Sequence, residues 1–223
     1  MNLLGHTYKK FAPLITRALP PALSKTLEIE IKTRLGIPVM YHSPARTILE
    51  ERILPYLTMS QRGSKILFVG CDWYTQHYKT YFKRCEYWTM DPDLTKKRFG
   101  AKHHLTIPLE HLSRYIPPLY FDVIIFNGVL GYGLNTPAQA EQAFDECYVS
   151  LRQNGKLIIG REIEQAFLPF SNDDLQSLKQ FVPYYFPPLA TANFTTKPHY
   201  NYMFSFFEKP SPDRTEEALS LKA

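Results

Sequence analysis

Residues 64–93 read SKILFVGCDWYTQHYKTYFKRCEYWTMDPD. Residues 66–69 form a short apolar run that ends at Gly70, and residues 87–90 form a second run that ends at Asp91. A helix-compatible stretch lies between the two runs. A buried strand, a tight turn, a helix and a second strand that ends in a carboxylate make up the first half of a nucleotide-binding βαβ unit. This segment therefore predicts an α/β fold and a nucleoside-type cofactor.

The composition indicates one globular domain with extensions. The chain has 223 residues, of which 44% are hydrophobic and 14% aromatic, enough for a sizeable core. No apolar run approaches the ~20 residues of a membrane span, and the N-terminus lacks the pattern of a secretory signal. The three cysteines, Cys71, Cys85 and Cys147, have no CxxC spacing. Their number and spacing favour a cytoplasmic protein without a structural metal site.

Residues 1–42 are interpreted as a helical N-terminal extension with a basic surface. The net charge is +5, and residues 1–60 hold eight Lys or Arg against four Glu. An amphipathic stretch at residues 3–19 gives residues 1–42 two interpretations, peripheral contact with a membrane surface or packing on the protein's own core. The chain lacks a tract of Lys and Arg interleaved with aromatic residues, which argues against nucleic acid as a partner.

The other apolar runs predict the remaining elements of the sheet. Continuous runs of Val, Ile and Leu are typical of parallel strands that are buried on both faces. Further strands are expected at residues 103–106, 121–126 and 156–159, and helices at residues 23–35, 44–57, 74–84, 137–151 and 173–181. A T-x-x-Q capping box at Thr136 marks the start of the fourth of these helices. Residues 189–195 and 200–207 predict an antiparallel hairpin, and residues 210–223 a flexible tail.

Residues 43–209 resemble the class I S-adenosylmethionine-dependent methyltransferases. Four segments carry the resemblance, in the family's order: ILFVGC, YWTMDPD, FDVIIFNGVLGYG and SLRQNGKLIIG. The resemblance implies a Rossmann-like, mostly parallel seven-stranded sheet with helices on both faces and a C-terminal antiparallel hairpin. It also implies S-adenosylmethionine as the cofactor and methyl transfer as the reaction.

The resemblance assigns the cofactor to residues at the ends of the strands. Asp91 would accept hydrogen bonds from both ribose hydroxyls, because a carboxylate has two acceptor oxygens and no donor; its alternative role is a helix cap. Asn127 and Gly128 leave the fourth strand where ligands bind in open α/β sheets; the alternative role of Asn127 is that of a turn residue. The cofactor-binding residues are expected to be Gly70, Cys71, Asp72, Asp91, Asn127 and Gly128.

The first turn departs from the family pattern. Phe68 stands at the position of an acidic residue, and Asp72 and Tyr74 replace two glycines. Glycines in this turn let the backbone adopt positive φ and approach the cofactor closely. Asp72 is a candidate to bind the cofactor's ammonium group in place of the missing acid, or to cap the following helix.

The expected function is methyl transfer to a small-molecule or glycan-type acceptor. Alignment of the acceptor with the activated methyl group would supply most of the rate, and Asp72, His77 and Tyr132 are candidates for removing a proton. A second hypothesis is a binding or scaffold protein that has lost the cofactor, and Phe68 and Tyr74 are its support. A third is another nucleotide-using α/β enzyme, such as an NAD-dependent one, against which the missing GxGxxG argues.

Overall fold

The computed structural model describes residues 20–60, 63–163, 170–196 and 202–211. The expectations for the amphipathic stretch at residues 3–19 and for most of the tail lie outside these residues. Within them, no helix has the length and apolar character that crossing a membrane requires.

One mixed sheet forms the centre of the protein. Its strands are β1 (Lys65–Val69), β2 (Glu86–Met90), β3 (His103–Leu105), β4 (Phe121–Asn127), β5 (Leu151–Glu162), β6 (Val182–Pro183), β7 (Asn193–Thr195) and β8 (Tyr202–Glu208). The order across the sheet is β3-β2-β1-β4-β5-β8-β6, with β7 also paired to β8. The neighbours among β1 to β5 pair in parallel, whereas β8 is antiparallel to β5, β6 and β7.

The predicted Rossmann-like, mostly parallel sheet with a C-terminal hairpin is confirmed. The sheet has eight strands where seven were predicted, because β6 and β7 both pair with β8 on the side away from β5. Val182 of β6 pairs with Glu208 near one end of β8, and Thr195 of β7 pairs with Met203 near the other. The eight strands therefore fill seven positions across the sheet.

Three helical segments match predicted ones. They are α1 (Pro21–Arg34), α2 (residues 44–60, with a π-helical turn at Leu49–Ile53) and α3 (Pro137–Ser150). The Ser43 hydroxyl caps α2 by accepting a hydrogen bond from the Arg46 amide at 3.2 Å. An ion pair of 2.8 Å between Glu30 and Arg98 ties α1 to the rest of the protein. Packing of the extension on the protein's own core stays a prediction.

Two predicted helices are wrong. Residues 74–84 contain only a 3-10 segment, Gln76–Thr80. The Thr75 hydroxyl donates to the Asp72 carbonyl and accepts from the Asp72 amide, both at 2.9 Å, and such local bonds compete with an α-helix. Residues 173–181 form two 3-10 turns instead of a helix. There the Glu141 carboxylate accepts hydrogen bonds of 2.7 Å from the amides of two successive residues, which removes them from helical bonding.

The two faces of the sheet carry separate cores. On one face, α3 packs over alternate residues of the central strands: Leu67, Val69, Ile124, Phe126, Leu157 and Ile159. On the other face, α2 packs over the residues between them: Ile66, Phe68, Val123, Ile125 and Ile158. Because every strand residue of this region is buried from one side or the other, polar groups are confined to the ends of the strands.

Thr136→Ala should lower the free energy of unfolding by about 1 kcal/mol, the usual loss on removing an N-cap hydroxyl. The Thr136 hydroxyl accepts a hydrogen bond from the Gln139 amide, and the Gln139 side chain accepts one from the Thr136 amide. Urea denaturation measures the loss. Thr136→Ser, which keeps the hydroxyl, is the matched control and should stay close to the wild type; equal losses in both variants would contradict the capping role.

Candidate functional site

A cleft of about 1000 Å³ opens at the carboxyl ends of β1, β2 and β4. Its volume is at the upper end of the range for small-molecule sites, about 300–1000 Å³. All six predicted cofactor-binding residues lie in its wall, together with Tyr132: Gly70, Cys71, Asp72, Asp91, Asn127 and Gly128. Residues distant in sequence therefore meet at one edge of the sheet, which is where open α/β sheets bind their ligands.

The Asp91 carboxylate joins the ends of β1 and β2. Its Oδ2 atom accepts a hydrogen bond of 2.8 Å from the Cys71 amide, and its Oδ1 atom accepts one of 3.0 Å from the Asp93 amide. A carboxylate has about four lone-pair sites, so two bonds leave capacity on both oxygens. Asp91 therefore has a structural role, and this role is compatible with binding a ligand's hydroxyl groups.

The turn after β1 approaches the cleft with its backbone. Gly70 has a φ of +88°, and its amide donates to the Met90 carbonyl at 2.8 Å. A Cβ atom at Gly70 would lie 3.2 Å from a methyl group of Val129, so the turn needs glycine for both its φ and its space. Burial and the nearby charge of Asp91 raise the pKa of the Cys71 thiol to about 12. Cys71 therefore stays a neutral thiol, and its amide is the group that contacts Asp91.

Asp72 is already paired with a cation. Its Oδ1 atom accepts from the Trp73 amide at 2.7 Å, and its Oδ2 atom lies 2.8 Å from the Lys96 Nζ atom. Desolvation lowers the pKa of Lys96, but the hydrogen bond and the charges of Asp72 and Asp91 raise it more, so the net shift is upward. A ligand's ammonium group would compete with Lys96 for this carboxylate, and the ammonium role of Asp72 stays a prediction.

At the end of β4, Asn127 is held by a partly buried tyrosine. The Tyr202 hydroxyl donates to the Asn127 Oδ1 atom at 3.0 Å, and burial raises the pKa of Tyr202, which keeps it a neutral donor. Gly160 of β5 provides the space, since a Cβ atom there would lie 2.1 Å from the Asn127 Oδ1 atom. The bond fixes the orientation of the Asn127 amide in the cleft wall.

Tyr132 and His77 differ in their relation to the cleft. Tyr132 lines it, is 60% exposed, and donates a hydrogen bond of 3.1 Å to Glu162, another lining residue. His77 is buried outside the lining, with its Nε2 atom 3.8 Å from Glu50, and burial lowers its pKa so that the ring is neutral. Among the residues that the structure describes, no group of His, Cys, Asp and Glu side chains could hold a metal ion.

Two cations of the wall, Arg46 and Lys96, were not predicted from the sequence. The Arg46 guanidinium lies 4.1 Å from the centre of the Tyr74 ring, which also contacts the Tyr41 ring at 5.7 Å. Tyr74 thus belongs to the cleft wall and leaves the large cleft open beside it. The helix predicted at residues 44–57 placed Arg46 in its first turn, but nothing local in the sequence indicated that α2 borders the strand ends.

Comparisons with known proteins establish the fold. No protein-family model and no curated protein matches the chain. Among solved structures, N-methyltransferase NodS from Bradyrhizobium japonicum WM9 is 16% identical, covers 75% of this chain and 97% of its own, and has a TM-score of 0.55. Its complex with S-adenosyl-L-homocysteine gives 16% identity, 71% and 84% coverage, and a TM-score of 0.52.

Two further solved structures have a similar fold. A TehB-like SAM-dependent methyltransferase from Corynebacterium glutamicum is 18% identical, covers 85% of this chain and 100% of its own, and has a TM-score of 0.54. An rRNA methylase from Streptococcus thermophilus is 12% identical, with 78% and 100% coverage and a TM-score of 0.52. The protein therefore has the fold of the SAM-dependent methyltransferases, and the expected fold resemblance is confirmed.

Gly160→Ala should displace the Asn127 side chain, because the new methyl group would also lie 2.9 Å from Phe204 and 3.0 Å from the Tyr202 hydroxyl. Overpacking of this kind costs about 1–3 kcal/mol of unfolding free energy, to be measured by urea denaturation. Gly133→Ala is the matched control, because its Cβ atom would meet nothing closer than 3.7 Å. Equal stability of the two variants would contradict the tight packing at Gly160.

Proposed function

We propose that this protein is an S-adenosylmethionine-dependent methyltransferase whose cofactor binds across the carboxyl ends of β1, β2 and β4. The observation that carries the proposal is the Asp91 carboxylate, which sits in the wall of a cleft of about 1000 Å³ with acceptor capacity left on both oxygens. The positive φ of Gly70 lets the backbone reach the same cleft. The fold supports the proposal as an analogy and does not by itself establish a function.

The residues of the cleft would bind and align the reactants. When bound, the cofactor supplies a methyl group on a positively charged sulfur, which is already activated for transfer. Asp91 would hold the ribose hydroxyls, and Asn127, fixed by Tyr202, would orient a polar group above the end of β4. Glu162, which accepts the Tyr132 hydrogen bond, can take up a proton from the acceptor. Holding the reactants in line would supply most of the rate.

The charge of the cleft supports a small-molecule acceptor over nucleic acid. Five carboxylates and two cations lie in its described lining: Asp72, Asp91, Asp93, Glu110 and Glu162, with Arg46 and Lys96. The whole chain has a net charge of +5, so the cleft is acidic within a basic protein. A polyanion would be repelled at this opening, whereas a neutral or cationic acceptor would not. A neutral glycan-type acceptor would not be repelled by the acidic cleft either.

The geometry of the cleft argues against the second hypothesis, a scaffold protein that has lost the cofactor. Tyr74, one of its two supports, has its ring centre 4.1 Å from the Arg46 Cζ atom and leaves a cleft of about 1000 Å³ open beside Gly70 and Asp91. The three cysteines lack the even number and the spacing of a disulfide framework. This favours our proposal that the enzyme works in the reducing cytoplasm.

Titration calorimetry with S-adenosylhomocysteine tests the proposal. We expect micromolar binding to the wild type, about 8 kcal/mol. Asp91→Ala should weaken this binding about tenfold or more, since hydrogen bonds to a charged group contribute about 1.5–3 kcal/mol. Glu86→Gln is the matched control and should bind the ligand as the wild type does. Glu86 lies at the opposite end of β2, where its carboxylate accepts hydrogen bonds from Trp88 and Tyr120.

Thermal unfolding of each variant shows whether it is folded during the titration. If the folded wild type binds no S-adenosylhomocysteine up to millimolar concentration, the methyltransferase proposal fails and the cofactor-free scaffold takes its place. If the Glu86 and Asp91 variants bind equally well, the ribose role of Asp91 is wrong.

A further inference from the structure

Arg46 is a largely buried cation with unused hydrogen-bonding capacity in the wall of the cleft. Its side chain is 11% exposed, its Nη1 atom donates to the Tyr78 hydroxyl, and Nη1 lies 3.6 Å from the Glu50 carboxylate. A guanidinium carries five N–H donors in a planar fork. No described residue accepts a hydrogen bond from the Arg46 Nε atom, which is buried. An unsatisfied buried donor is unfavourable, so its persistence needs an explanation.

A buried network below the cleft fixes the position of Arg46. The Tyr78 hydroxyl donates to the Glu50 carboxylate at 2.8 Å while it accepts from Arg46. The ring of Phe68 packs edge to face on the Tyr78 ring at 5.2 Å. Phe68, at the position where related folds carry an acidic residue, thus supports a carboxylate that α2 supplies. In this chain the carboxylate next to Tyr78 is Glu50 of the neighbouring helix.

The second departure from the glycine pattern contacts the same guanidinium. Tyr74 lies with its ring centre 4.1 Å from the Arg46 Cζ atom, and the Tyr41 ring centre lies 5.8 Å from it. Stacking on aromatic faces holds a guanidinium in one plane and leaves its edge available for hydrogen bonding. A glycine at position 74 would remove this support.

Arg46 and Lys96, the two described cations of the wall, differ in where their carboxylate partners lie. The other described cation of the lining, Lys96, already pairs with the lining carboxylate Asp72 at 2.8 Å. The partner of Arg46, Glu50, lies outside the lining. An anion in the cleft can therefore approach Arg46 without separating two groups of the cleft wall.

We propose that Arg46 binds the carboxylate of the cofactor's methionine part and that Glu50, through its contact with Arg46, is a positioning residue. The inference rests on the proposed function. A cofactor with its ribose at Asp91 would extend along the turn after β1, and Tyr74 and Arg46 form the wall at the end of this turn. Phe68 and Tyr74 then belong to an alternative site for the amino-acid end of the cofactor and are not signs of a lost one.

A pair of ligands isolates the contact. S-adenosylhomocysteine carries the amino-acid end, and 5′-methylthioadenosine lacks it while keeping the ribose and adenine. Calorimetric titration of Arg46→Met should show S-adenosylhomocysteine bound about tenfold or more weakly, the scale of a lost hydrogen bond to a charged group. Binding of 5′-methylthioadenosine should change by less than about twofold. Arg46→Lys should fall between, because it keeps the charge but loses the fork.

Two further variants keep the test decisive. Arg46→Met leaves Glu50 buried without its cation and can unfold; the double variant Arg46→Met/Glu50→Gln removes both charges and should show the same ligand discrimination. Arg52→Met, at an exposed position of α2, is the control and should bind both ligands as the wild type does. Thermal unfolding verifies that each variant is folded.

The outcomes separate this inference from the function on which it rests. If the wild type binds both ligands and the Arg46 variants weaken both equally, or weaken neither, the carboxylate role of Arg46 is wrong while the methyltransferase proposal stands. If the folded wild type binds neither ligand, both are overturned. Selective loss of S-adenosylhomocysteine binding supports both.

Discussion

Burial of the central strands on both faces determines where this protein can carry polar chemistry. Along β1 and β4, alternate side chains enter the two cores, and Val69 and Phe126 pair at the last apolar positions before the strands end. Beyond them the chain reaches Gly70 and Asn127, which line the cleft. Parallel strands bring these ends to one edge, so the same constraint that builds the core also gathers the polar residues.

The Asp91 carboxylate stabilises the carboxyl ends of β1 and β2. Its bonds to the amides of Cys71 and Asp93 satisfy two backbone donors that lie beyond the last residues of β1 and β2. Without an acceptor, these donors would depend on water in the cleft. Structural and ligand-binding roles therefore do not exclude each other at Asp91. The helix-cap alternative is wrong for this residue, because Asp93 caps the 3-10 segment Leu94–Phe99 by accepting a hydrogen bond of 2.8 Å from the Thr95 amide.

Local patterns in the sequence predicted the strands and the candidate residues but not their partners. Continuous apolar runs identify strands such as β1 and β4 because burial on both faces leaves no polar position. The candidate site residues, such as Gly70 and Asp91, follow directly from the positions at which these runs end. Lys96 pairs with Asp72 and Arg46 stacks on Tyr74 only after α2 and the loop beyond β2 are in place. The helix predicted at residues 74–84 does not form, because the hydrogen bonds between Asp72 and Thr75 compete with helical bonding. The spacing of apolar residues does not reveal the strength of such local bonds.

The network of Arg46, Glu50 and Tyr78 is costly as a device for stability alone. Desolvating two charges offsets most of their attraction, and well-packed apolar residues at such positions are often at least as stable. The surrounding residues of this core, such as Ile53 and Phe82, are apolar and fully buried, so the fold had an apolar solution available. The Arg46 guanidinium stacks on Tyr74 and lines the cleft. Binding of an anionic ligand explains its presence better than stability does. On this argument Phe68 and Tyr74, two of the three departures from the family pattern, belong to one arrangement, in which the neighbouring helix provides the carboxylate Glu50.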